Sequence, residues 1–100
     1  MGQPYTLGNW MAKPGHEEEF VAAWQELADW TRSEIGENSS AKLLRDVADH
    51  RRFVSFGPWD SLEAIDAWRA LPGFKEGVSR IREFLESFEP VTLEVVAEVG

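Results

Sequence analysis

The chain has 100 residues, with 10 Lys and Arg against 18 Asp and Glu, giving a net charge of -8; 43% of residues are apolar and 28% are charged. That is the composition of a globular domain, which argues against disorder, collagen-like repeats or a membrane protein, and the negative balance disfavours nucleic acid and anionic membrane surfaces as partners. With no cysteine there are no disulfides, thiolate metal sites or cysteine nucleophile, a pattern that fits a reducing cytoplasm.

Residues 5–12 alternate as a strand, with Tyr5, Leu7, Asn9 and Met11 on one face and Thr6, Gly8, Trp10 and Ala12 on the other. Pro14-Gly15 breaks that strand. His16-Glu17-Glu18-Glu19 then opens a helix, where acidic side chains suit the positive end of the helix dipole. Phe20, Trp24, Leu27 and Thr31 recur at helical spacing, and Gly36 closes the helix after about residue 35. After a polar connection over 37–41, residues 42–48 and 52–57 read as two strands joined across Asp49-His50-Arg51.

Pro58-Trp59-Asp60-Ser61 leaves the hairpin, and Asp60 with Glu63 resembles a reciprocal N-terminal cap for the next helix. Leu62, Ile65 and Trp68 share a face of that helix. Pro72-Gly73 interrupts it, and the helical pattern resumes with Phe74, Val78, Ile81 and Leu85, so this region is bent or split. Pro90 starts a last strand, 91–99. No linker or repeat divides residues 1–100, which read as one domain.

The order strand, helix, strand, strand, helix, strand is the split β-α-β pattern of a ferredoxin-like α+β fold with a four-stranded antiparallel sheet. Both helical regions would cover one sheet face, leaving the other open although several strands carry apolar residues on both faces. A homodimer closed through that face is expected, with closure by a different partner protein as the alternative. The five tryptophans suit a thick core, a subunit interface or an aromatic ligand pocket.

The chemistry is narrowed mainly by elimination. His16 and His50 sit in different segments, and Phe20 stands where a metalloprotease motif needs its second histidine, so no metal is expected. No serine occupies a Gly-x-Ser-x-Gly elbow, and no phosphate-cradling or dinucleotide glycine motif is present, so no nucleotide cofactor is expected. Asn9 is an amide on an otherwise apolar strand face. It either satisfies neighbouring backbone groups or holds the oxygen of a phenol or quinone in an aromatic cavity. Arg45, between Leu43 and Val47, either forms a strand-edge salt bridge or meets an anion.

In their order and spacing, three segments resemble the antibiotic biosynthesis monooxygenase family of the dimeric α+β barrel superfamily. They are Asn9 ahead of Lys13-Pro14-Gly15, Phe56 through Trp59-Asp60-Ser61 into Glu63-Ala64, and Trp68 followed by Pro72-Gly73-Phe74. The resemblance implies a dimeric barrel with a pocket between sheet and helices in each subunit. It also implies oxidation of an aromatic, quinol or polyketide-type substrate by O2 without metal or flavin. On that basis Asn9 is the candidate catalytic residue, Arg45 supplies positive charge, and Trp59, Trp68 and Phe74 shape the substrate pocket.

The chain departs from its relatives at two positions. Many quinol-oxidising relatives carry histidine where this chain has Trp68, and haem-degrading relatives carry an axial histidine where it has Val78. The first departure keeps open a non-catalytic ligand-binding or interaction domain of the same fold; the second disfavours haem oxygenase activity.

Overall fold

The computed structural model describes residues 2–37 and 39–100. Met1, and Asn38 within the connection 37–41, lie outside the described residues. The chain forms β1 (Pro4–Ala12), α1 (Glu17–Ile35), β2 (Lys42–Arg45), β3 (Arg52–Pro58), α2 (Leu62–Ala70), α3 (Pro72–Arg82) and β4 (Leu85–Glu94). The strands make one antiparallel sheet in the order β2-β3-β1-β4. This is the ferredoxin-like α+β arrangement expected from the element order, with the second helical region divided in two.

The division falls at Leu71, which is extended (φ -68°, ψ 137°) because a residue before proline is pushed out of the helical region. Pro72 then opens α3 at a position where its missing amide costs nothing. Gly73 follows for a steric reason: a Cβ there would meet Trp30 Cζ2 at 2.3 Å, so only glycine lets α3 begin against that indole. The cap of α2 is Ser61 rather than the expected Asp60. Its backbone is extended, and its hydroxyl accepts from the Ala64 amide at 3.1 Å.

Two strands differ from their sequence pattern. The expected strand 42–48 stops at Arg45 because Asp46 turns the chain, its carboxylate accepting from the amides of Ala48 at 2.8 Å and Asp49 at 3.3 Å. Those bonds, that from Ala48 foremost, hold the Asp46 carboxyl below its ordinary pKa. The last strand runs from Leu85 to Glu94 instead of over 91–99, so Leu85 begins a strand rather than ending a helical stripe, and Pro90 lies inside it. Because β4 is an edge strand, a residue with no amide proton is tolerated there.

Pairing fixes which side chains share a face. Trp10 lies opposite Phe53 on β3 and Phe88 on β4, so all three project to the side covered by the helices. There Phe20, Phe53, Ile65 and Ile81 are fully buried. Phe20 stands with ring centroids 5.3 Å from Trp10 and 4.9 Å from Phe53, which ties α1 to both central strands. The other face carries Tyr5, Leu7, Asn9 and Met11 of β1, Val54 and Phe56 of β3, and Val91 and Leu93 of β4. None of these is fully buried, and Leu93 is 46% exposed.

Truncation at the centre of the helix-covered side tests this account of the core. Phe20→Ala is expected to lower stability by about 3–5 kcal/mol, seen as a lower urea midpoint with little change in m.

Candidate functional site

The sheet and helices do not close completely. Between them lies a cavity of about 310 Å³ whose floor is Thr6, Gly8 and Trp10 of β1 with Ser55 and Gly57 of β3. α1 supplies one wall through Trp24, Leu27, Ala28 and Thr31, and Trp59, Trp68 and Phe74 form another. The glycines of this floor are close-packed rather than open. A Cβ added at Gly8 would lie 2.8 Å from Trp10 Nε1 and 3.1 Å from Ser55 Oγ. Glycine here therefore lets the Trp10 indole lie back along the strand to reach Ser55.

The wall aromatics are placed by element ends. Trp59 follows β3 directly, and its amide donates to the Pro4 carbonyl at 2.9 Å. Trp68 stands in the last turns of α2, and Phe74 in the first turn of α3 beyond the Leu71 break. Their rings form a row. Trp59 and Trp68 centroids are 4.8 Å apart, and Trp68 meets Phe74 at 4.4 Å with an interplanar angle of 61°.

Three indole N–H groups are satisfied by hydroxyls of the protein. Trp59 Nε1 donates to Thr6 Oγ1 at 3.1 Å, Trp68 Nε1 to Thr31 Oγ1 at 3.0 Å, and Trp10 Nε1 to Ser55 Oγ at 2.9 Å. Thr31 passes its own proton to the Leu27 carbonyl at 2.8 Å. These bonds fix the ring orientations, so the cavity presents ring faces and edges, a surface suited to a flat apolar ligand.

Charged groups lie toward the cavity's rim. Asp29 is the one carboxylate of the lining and accepts from Gln25 Nε2 at 2.9 Å; Arg32 and Arg69 are the lining's cations. Arg69 Nη1 donates to Thr92 Oγ1 at 3.2 Å. No histidine is part of the lining. His16 bonds to Glu19 at 2.6 Å on the surface, and His50 is exposed in the hairpin turn. Among the described residues, no three His, Asp or Glu side chains gather as metal ligands.

Of the five residues singled out from sequence, the structure brings together Trp59, Trp68 and Phe74. Asn9 is opposite Val54 and Glu89 on the sheet face turned away from the helices, and it does not line the cavity. Arg45 lies at the end of the edge strand with its guanidinium 5.1 Å from the Phe53 ring centroid, also outside the cavity. Thr6, Gly8, Trp10, Thr31 and Ser55 also line the cavity and are not among those five. The signal for three of them was the other half of the β1 alternation, where a glycine between a threonine and a tryptophan leaves room for the indole to fold back along the strand.

The family model described as antibiotic biosynthesis monooxygenase matches residues 5–80. SnoaB, a cofactor-independent oxygenase from Streptomyces nogalater, is similar in structure over 99% of this chain and 98% of its own, at a TM-score of 0.85 and 16% identity. A mutant of SnoaB gives a TM-score of 0.88 at 17% identity over the same shares. A protein from Shewanella oneidensis is similar over 94% of this chain and 91% of its own, at a TM-score of 0.81 and 23% identity. At such identities the likeness is one of fold. No curated protein sequence matches the chain.

The floor geometry makes Gly8 an informative position. Gly8→Ala is expected to displace the Trp10 indole from Ser55 and cost about 1–3 kcal/mol, the usual penalty of overfilling a packed site. Urea unfolding would measure the loss, and a changed near-UV circular dichroism spectrum would report the displaced ring.

Proposed function

The chain belongs to the antibiotic biosynthesis monooxygenase family, and from that premise we propose that it oxidises a small aromatic, quinol or polyketide-type substrate with O2 and without a cofactor. The observation that carries this reading is the cavity walled by Trp59, Trp68 and Phe74 beside a sheet floor that offers hydroxyls. At about 310 Å³ it falls at the low end of the roughly 300–1,000 Å³ typical of small-molecule sites.

The chemistry asked of such a site is modest. A ring methylene activated by a neighbouring carbonyl or phenol loses a proton, and the resulting anion gives electrons to O2. One oxygen atom ends as a carbonyl on the ring carbon and the other leaves as water. The protein's part is to hold the ring, stabilise the anionic oxygen and keep bulk water away. We assign ring binding to Trp59, Trp68 and Phe74. Asn9 and Arg45 stand outside this cavity, and we assign neither a contact with its ligand.

A second reading, binding without turnover, is favoured by one observation: no histidine lines the cavity, and its one carboxylate, on Asp29, is hydrogen-bonded at the rim. Oxygen uptake by metal-free protein with anthrone and hydroquinone, against a no-protein control for autoxidation, separates the two. Protein-dependent uptake that falls tenfold or more in Trp68→Ala is the expected result. Uptake equal to the control, together with ligand-dependent tryptophan quenching, would establish the binding protein instead.

We also propose a homodimer in the cytoplasm, closed through the apolar sheet face that carries Tyr5, Leu7, Met11, Val54, Phe56, Val91 and Leu93. Light scattering is expected to give twice the 11.4 kDa chain mass, and Phe56→Glu to give the single-chain mass.

A further inference from the structure

We propose that the hydroxyls of Thr6 and Ser55 form an oxygen-binding subsite on the cavity floor, donating hydrogen bonds to the carbonyl or phenolate oxygens along one edge of the aromatic ligand. The inference rests on the cavity being the aromatic-binding site, and it names which end of the ligand enters first.

Hydrogen-bond capacity sets these two hydroxyls apart. A hydroxyl carries one proton and two acceptor positions. Thr6 Oγ1 uses an acceptor position on Trp59 Nε1, and Ser55 Oγ uses one on Trp10 Nε1. Neither donates its proton to any acceptor among the described residues, in contrast to Thr31, whose proton goes to the Leu27 carbonyl. Thr31 has therefore spent its proton, whereas Thr6 and Ser55 each keep one to give. Ser55 is only 9% exposed, so bulk water is a poor recipient, and both residues line the cavity.

The indoles also sharpen these donors. A hydroxyl that accepts a hydrogen bond is polarised and donates more strongly, an effect enlarged where water is scarce. Both side chains project from the same sheet face, since Thr6 pairs with Gly57 and Ser55 with Gly8. Diagonal neighbours of this kind lie about 7–8 Å apart, their Cβ atoms somewhat closer, a span that the two outer oxygens of one ring edge can bridge. The glycines paired with each carry no side chain of their own; the Trp10 indole packs over Gly8 and the Ser40–Ala41 chain over Gly57, so the two hydroxyls are reached from the cavity side. No carboxylate lies on this floor to oppose negative charge, because Asp29 belongs to α1 at the rim. The ligand class is thus a flat fused or single ring with acceptor oxygens on its leading edge, bound better as the anion than as the neutral phenol.

The probe is 1,8-dihydroxyanthraquinone, whose absorption reports ionisation of its phenols and whose binding quenches tryptophan. Bound to the intact protein it should ionise at lower pH than when free. Ser55→Ala and Thr6→Val should each raise that apparent pKa by about one unit and weaken anion binding about tenfold, the effect of losing one hydrogen bond to a charged group. Ser55→Thr and Thr6→Ser, which keep the hydroxyl, should restore both values.

Ser55→Ala leaves the Trp10 N–H without its partner and Thr6→Val does the same to Trp59, so if either variant fails to fold, the other and the ionisation shift of the intact protein carry the test. Dye that binds but ionises as it does in solution, or that ionises identically in Thr6→Val, would overturn the subsite while leaving the aromatic cavity standing. Absence of any binding would overturn both.

Discussion

A buried indole brings a polar atom with it. Trp10, Trp59 and Trp68 supply much of the aromatic surface between sheet and helices, and each must find an acceptor for its N–H or lose much of what burial gains. The acceptors are hydroxyls on β1, β3 and α1, namely Thr6, Ser55 and Thr31. This pairing joins the elements: Trp59 ties the segment after β3 to β1, Trp68 ties α2 to α1, and Trp10 ties the two central strands. Rings held at their edges cannot collapse freely into the space before them. The cavity is a consequence of satisfying those three donors with short side chains.

Gly8 shows how one absent methyl group shapes both structure and chemistry. With a side chain there, Trp10 would be forced away from Ser55. Without one, the stacking of Trp10 on Phe88, with centroids 4.1 Å apart and planes within 10°, and the indole–serine bond hold together. One position therefore serves both packing and hydrogen bonding.

Element order, the helical stripes and the break at Pro72-Gly73 were legible in the sequence because each is written in short-range signals of proline, glycine and apolar spacing. The aromatic wall was partly legible through Trp59, Trp68 and Phe74. Where the reading diverged, a non-local fact decided the outcome. Pro90 reads as a strand start until β4 is known to be an edge, and Ala48 reads as strand until Asp46 captures its amide. Alternation along β1 offered two faces without saying which the helices would cover. Asn9 drew notice as a polar residue among apolar ones, yet the covered face holds Thr6, Gly8 and Trp10, and only the packing of α1 and α3 reveals it.

The sheet order carries a consequence for how the molecule is made. β1 is central, yet its two neighbours are β3 and β4, both synthesised long after it. A nascent chain leaving the ribosome therefore displays β1 with neither edge paired and both faces bare. The strand is completed only when Leu85–Glu94 emerges. Such long-range closure slows folding relative to locally wired helical proteins and leaves an apolar strand available to wrong partners in the interval. Gly8 and Asn9 in its middle, both poor strand formers, lower its tendency to pair on its own before its partners arrive.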